Sequence, residues 1–123
     1  MDLYLRNQVD ADRDHSIRDA VLRAWQGAEA YTLSSYHTVG RLNKGAQIGA
    51  EASTNKIVWS ELDIMIHETA MRILGARAEL IDDAEANEWL EGFLFSQAGP
   101  IYAGSNEIQR NIIAQRMLGL PKS

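Results

Sequence analysis

From Ile17 onward, apolar residues recur at Ile17, Val21, Ala24/Trp25, Ala28, Tyr31, Val39 and Leu42, with Ser35 in register. Steps alternating between about three and four residues are the stripe of an amphipathic helix. The pattern predicts one long helix over roughly 15–43. Asp14 or Ser16 can cap its start, Asp19 complements its first turn, and Asn43-Lys44-Gly45 offers a stop.

After Gly49 the pattern changes. Ile57, Val58, Leu62, Ile64, Met65, Ile66, Ala70, Ile73 and Leu74 cover more than one narrow stripe, and a helix that is apolar on two sides sits between neighbours. Leu74-Gly75-Ala76 ends it. Asp82-Asp83 then caps a shorter helix carrying Trp89, Leu90, Phe93 and Leu94. A turn at Ala98-Gly99-Pro100 separates this from a last helix, whose face is Ile108, Ile112, Ile113, Met117 and Leu120, closed by Gly119 and Pro121. No period-two strand pattern occurs. The expectation is therefore all-α, a four-helix up-down bundle over 15–121, preceded by an N-terminal polar segment, 1–14. In that segment Asp2, Arg6, Asp10, Asp12 and Arg13 leave both helix and tail open.

Composition narrows the function classes. A net charge of −5 argues against a nucleic-acid binder. No apolar run approaches the roughly 18 residues of a membrane span. Met1-Asp2-Leu3-Tyr4 does not open like a secretory signal, so the expected setting is cytoplasmic. With no cysteine, disulfides, thiolate catalysis and thiolate metal sites are excluded.

The chemical motifs are few. His67-Glu68 opens like the zinc pattern HExxH, but Met71 stands where the second histidine is needed. His15, His37 and His67 are far apart in sequence, so no metal site is expected. Glu61 and Asp63 lie about 200° apart around a helix and cannot act as a pair. Glu61 with Lys56, and Glu68 with Arg72, read as ordinary surface or interhelix charges. Gly92, Gly99 and Gly104 do not form a dinucleotide-binding GxGxxG, and no Walker pattern occurs. Gly104-Ser105-Asn106-Glu107 opens the last helix, where unpaired N–H groups and the positive dipole end can hold an anion. Spacing alone favours a plain Ser105 cap and leaves the anion site as the alternative.

The closing segment IYAGSNEIQRNIIAQRMLGLP resembles the YEGTSEIQRNIIAERVLGLP segment that ends acyl-CoA dehydrogenases. Upstream, GAEASTNKIVWSELDIMIHETAMRILGARAEL resembles the same family's second C-terminal helix, with its small-residue start, Lys56 and Leu-Gly ending. Together these span most of 48–121. The resemblance implies a C-terminal helical bundle that packs subunits together as a dimer or tetramer. It also implies FAD held across a subunit interface, an acyl-CoA substrate oxidised to the 2,3-enoyl form, and an electron-transfer partner. Neither nucleic acid nor membrane is implied.

Matched position by position, Ser105, Asn106 and Glu107 fall on FAD contacts and Gly104 on a residue lying against the thioester. Arg72 and Gly75 fall in a Q-x-x-G-G segment that reaches the neighbouring subunit's FAD, with Arg72 replacing the glutamine and Ala76 the second glycine. Ala103 stands where many members carry the glutamate base, and alanine cannot accept a proton. One branch of the family places that carboxylate in an earlier helix, to which no position here matches. No catalytic residue is therefore assigned. The family's β-barrel and diphosphate-clasping arginine are not in these 123 residues, so the isolated chain is expected to be inactive. The other reading is a non-catalytic helical assembly module that pairs with a complete dehydrogenase subunit.

Overall fold

Asp14 is extended (φ −117°, ψ 98°), and its carboxylate accepts from the Ser16 backbone N–H at 2.8 Å. That bond satisfies one of the unpaired donors at the start of the longest helix. In this computed structural model, which describes residues 1–7, 14–80 and 82–122, the elements are α1 (Asp2–Arg6), α2 (His15–Asn43), α3 (Glu51–Leu74), a 3-10 turn (Gly75–Glu79), α4 (Ala84–Ser96) and α5 (Asn106–Arg116). No strand occurs among the described residues.

All four predicted helices are present, and α2 has its predicted ends. Of the two candidate caps it uses Asp14. The Ser16 hydroxyl lies 2.5 Å from the Arg72 guanidinium instead.

Helix α3 is the centre, packed against α2, α4 and α5, as its two-sided pattern requires. Its buried residues are Ser53, Ser60, Leu62, Thr69, Ala70 and Leu74. Most are small, which lets neighbouring backbones come close. A Cβ on Gly92 of α4 would collide with the His67 ring, and one on Gly99 would meet Ser96 O at 3.0 Å and Ser60 Cβ at 3.3 Å. The absence of side chains at these two glycines thus sets the α3–α4 approach. His67 is wedged there, its ring 5.7 Å from that of Trp89 and its Nδ1 2.9 Å from Asp63 O.

A fifth, short helix precedes the predicted four. Asp2–Arg6 lies within the segment read as polar, and its Leu3 is 5% exposed. Leu3 joins Ala70, Leu74 and Ala86 in a core cluster, with Met71, Ile73, Ala78 and Trp89 packed around it. Asp10, Asp12 and Arg13 lie outside the described residues.

Arg77 ties three elements together. It donates to Asp83 (2.8 Å), Glu85 (3.2 Å) and Asn7 (3.1 Å), while Asp83 caps α4 through the Ala86 N–H at 3.1 Å. The Arg77 guanidinium, and next the Ala86 N–H, hold the Asp83 carboxyl below its ordinary value of 3.8. A carboxylate whose folded pKa is depressed stabilises the fold above its unfolded pKa, and that contribution is lost as pH falls through the folded value. Asn caps a helix as well as Asp does, so Asp83→Asn removes mainly the charge. The melting temperature of wild type should exceed that of Asp83→Asn at about pH 5, and the gap should narrow as the pH falls below 3.8. A gap constant across that range would show that the charge is irrelevant.

Helix α5 stops earlier than its apolar pattern suggests. The chain leaves the helix after Arg116, and Gly119 turns left-handed (φ 68°) with the Leu120 N–H bonded to Ala114 O at 3.0 Å. Ile112 and Ile113 are half-buried, while Ile108, Met117 and Leu120 are exposed. The predicted apolar face is therefore only partly covered within this chain.

Candidate functional site

Between α4 and α5 the chain makes a compact turn whose two ends are anchored. The N–H groups of Ile101 and Tyr102 donate to Ala98 O at 3.0 and 3.1 Å, and the Asn106 N–H donates to Pro100 O at 2.9 Å. The Tyr102 ring lies against Trp59 (5.9 Å) and Phe95 (6.4 Å). Between these anchors Ala103 (φ 56°) and Gly104 (φ 85°) are both left-handed. Glycine tolerates that conformation, but a residue with a Cβ rarely adopts it. A strained residue of this kind is a pointer to function.

Asn106 lies inside the protein. It is 3% exposed. Its Oδ1 accepts from Lys56 Nζ at 2.7 Å, and its Nδ2 donates to Ser60 Oγ (3.1 Å) and reaches Glu61 Oε1 (3.5 Å). Glu61 also takes a hydrogen bond from Arg110 at 2.5 Å. This polar cluster pins the start of α5 onto the first half of α3. Burial is affordable for Asn106 because every polar atom of its amide has a partner.

Ser105 occupies the cap position of α5, but its hydroxyl makes no cap hydrogen bond to a helix N–H. That corrects the plain-cap reading. The Ser105 side chain, and next Glu107's own backbone N–H, hold the Glu107 carboxyl below its ordinary value of 4.5. Arg110 and Lys56 add a favourable field. Gly104 and Glu107 are exposed and Ser105 is half-buried. Gly104, Ser105 and Glu107 thus form one outward edge, with Asn106 behind it.

Arg72 and Gly75 lie elsewhere. Arg72 is at the far end of α3 beside Ser16 (2.5 Å) and Asp14 (3.9 Å), and Gly75 (φ 54°) closes that helix in the open. Sixteen residues of helix separate Lys56 from Arg72, about 24 Å at 1.5 Å per residue. One chain therefore cannot bring both groups to the same ligand atoms. Among the described residues no group of three or more His, Asp or Glu side chains is arranged to hold a metal ion.

Sequence reasoning treated Lys56 and Glu61 as ordinary charges and gave no role to Ser60 or Gln109. The available signal was Ser60, a small polar residue in the middle of a helix whose pattern is apolar on two sides. Its partner lies 46 residues away, which no local pattern shows.

The helical architecture agrees with the comparisons with known proteins. The family model described as the acyl-CoA dehydrogenase C-terminal domain matches residues 4–118. The chain belongs to the acyl-CoA dehydrogenase family, of which it is the C-terminal domain. It is 36% identical over 118 residues to the acyl-CoA dehydrogenase IpdE1 of Mycobacterium tuberculosis (strain ATCC 25618 / H37Rv), covering 96% of this chain and 30% of that protein. It is 35% identical over 118 residues to the acyl-CoA dehydrogenase IpdE1 of Mycolicibacterium smegmatis (strain ATCC 700084 / mc(2)155), covering 96% of this chain and 29% of that protein. The chain thus spans less than a third of the length of these curated relatives. No solved structure matches it significantly.

Proposed function

We propose that this domain supplies the cofactor-side edge and part of the subunit-packing surface of a FAD-dependent dehydrogenase acting on an acyl-CoA thioester. The turn at 103–107 carries the reading. Among the described residues, the N–H groups of Ala103, Gly104 and Ser105 donate to no backbone carbonyl, and Gly104 puts no side chain in front of them. Open N–H groups in a turn at a helix start suit phosphate or carbonyl oxygens. Beside them the Ser105 hydroxyl and Glu107 carboxylate can meet the hydroxyl and amide groups of a dinucleotide. These residues fit FAD, with Asn106 holding the edge from behind. Arg72 and Gly75, at the other end of α3, would serve a second FAD across a subunit interface.

When bound, FAD supplies the hydride acceptor for 2,3-dehydrogenation. The chain's own share is to bind and orient. Gly104 lets a thioester approach the backbone closely. Ala103 moves no proton, so the carboxylate that takes the α-proton belongs to another segment of the complete enzyme.

The apolar surface supports the packing role. Leu33, Tyr36 and Val39 on α2, and Leu94, Phe95 and Ile101 around the end of α4, are all more than half exposed. Exposed apolar groups clustered on one surface mark interaction sites. Like or related subunits, as a dimer or tetramer, would cover them. An electron-transfer partner to reoxidise the flavin and a cytoplasmic setting complete the reading. No described helix is long and apolar enough to cross a membrane.

Ala103 favours one second reading, a non-catalytic assembly module that pairs with a complete dehydrogenase subunit. Mixing the purified chain with FAD, then recording the flavin absorbance and sedimentation, separates the two. The first reading expects retained flavin, weakened by Ser105→Ala, in a species larger than the 13.7 kDa monomer. Self-association without flavin favours the assembly module. A stable monomer that retains no flavin removes support from both.

A further inference from the structure

Gln109 stands one turn into α5, half-buried, with its carboxamide turned back over the helix start. Its Nε2 donates to Ala103 O at 3.1 Å and reaches Gly104 O at 3.4 Å. These are the carbonyls of the two left-handed residues. Among the described residues no other side chain hydrogen-bonds to the backbone of 103–105.

We propose that Gln109 is the positioning residue of this turn, holding Ala103 and Gly104 left-handed so that the open N–H edge keeps its direction. The inference rests on the cofactor-edge reading for its purpose, but its physical content does not depend on flavin. Three observations converge on it. The turn is anchored at Tyr102 and at Asn106 by backbone hydrogen bonds, which leaves 103–105 as the span needing a restraint. A left-handed conformation at a residue with a Cβ is disfavoured by roughly tenfold or more in a free chain, so Ala103 would relax without one. Finally, a Cβ on Gly104 would stand 2.8 Å from Gln109 Nε2. Glycine at 104 is thus what gives the carboxamide its place. The edge would then be ordered before a ligand arrives, which lowers the ordering cost of binding.

The test uses side chains of similar length and different donor capacity. Gln109→Glu removes both N–H donors at neutral pH. A protonated carboxyl regains one O–H donor, so acidification through about pH 4.3 restores a bond to Ala103 O. Gln109→Met has no donor at any pH and guards against an effect of the new charge. Backbone 15N relaxation reads the result. In wild type, Ala103 and Gly104 should show order parameters near about 0.85, falling below about 0.6 in both variants at neutral pH while Asn106 stays rigid. On acidification the Glu variant should recover and the Met variant should not, with wild type unchanged. Rigid 103–104 in both variants at neutral pH, or acid recovery in the Met variant as well, would overturn the proposal.

Flavin retention is read separately. A turn in the competent state about a tenth of the time weakens apparent binding roughly tenfold, so both variants should lose about that much. Loss of order in the turn with unchanged flavin retention would leave the positioning role standing and sink the cofactor-edge reading.

Discussion

Asn106→Ala should destabilise the domain by about 1–3 kcal/mol, the range for leaving buried polar groups unpaired. The alanine would remove the acceptor of Lys56 Nζ and the donor to Ser60 Oγ, both inside the α3–α5 contact. Ser60 is 0% exposed, so water cannot replace the lost partner without opening the interface. The urea midpoint should fall with an unchanged slope, because the surface exposed on unfolding is nearly the same. Ser60→Ala should cost less, since Asn106 keeps Lys56 Nζ on its Oδ1 at 2.7 Å and Glu61 Oε1 within 3.5 Å of its Nδ2. Residues in one network are not additive. The double variant should therefore be more stable than the sum of the two single losses predicts. Strict additivity, or an Asn106→Ala protein as stable as wild type, would show that the buried cluster holds nothing in place.

The helices were legible because periodicity and caps are local. The three- and four-residue spacing of α2, with Asp14 ahead of it, contains all that is needed to place its start. Leu3 shows the opposite case. Five residues of helix are too few for a periodic signal, and α1 exists because Leu3 finds Ala70, Leu74 and Ala86, contacts that no window of sequence contains.

The same distinction divides the candidate site. Gly104, Ser105 and Glu107 were singled out through a motif carried on consecutive residues, and the structure leaves Gly104 and Glu107 exposed and Ser105 half-buried. The position of Asn106 behind that edge was not legible, because Lys56 and Ser60, about fifty residues earlier, decide where its amide goes. Ser105 occupies the predicted cap position, yet its hydroxyl caps no helix N–H. That depends on how the turn before it is wound. The left-handed Ala103 is likewise a property of the anchored turn, since alanine on its own prefers almost any other conformation.

Leu74→Ala should have the largest effect of any single truncation, about 2–5 kcal/mol for a buried leucine whose site cannot fully collapse. Leu74 is 4% exposed at the end of α3, in the cluster that joins α1, α3 and α4. Among the described residues the large apolar side chains that are buried are only Leu3, Val21, Leu62 and Leu74; the rest of the buried apolar core is alanine. Against a typical domain stability of about 5–15 kcal/mol, losing one of them removes roughly a third. Trp89 packs on the same cluster, so its fluorescence should shift to the red at lower urea than in wild type. Phe95→Ala provides the contrast. At 68% exposed, Phe95 should cost the isolated chain almost nothing, yet weaken its self-association if that surface packs against another subunit. Equal losses for Leu74→Ala and Phe95→Ala in the monomer would contradict this division between core and packing surface. The lesion also has a direction. Leu74 lies next to Arg72 and Gly75, whereas Asn106 holds the other end of α3. Hydrogen exchange in Leu74→Ala should therefore rise first around 70–80 and leave 103–107 protected until the whole domain opens.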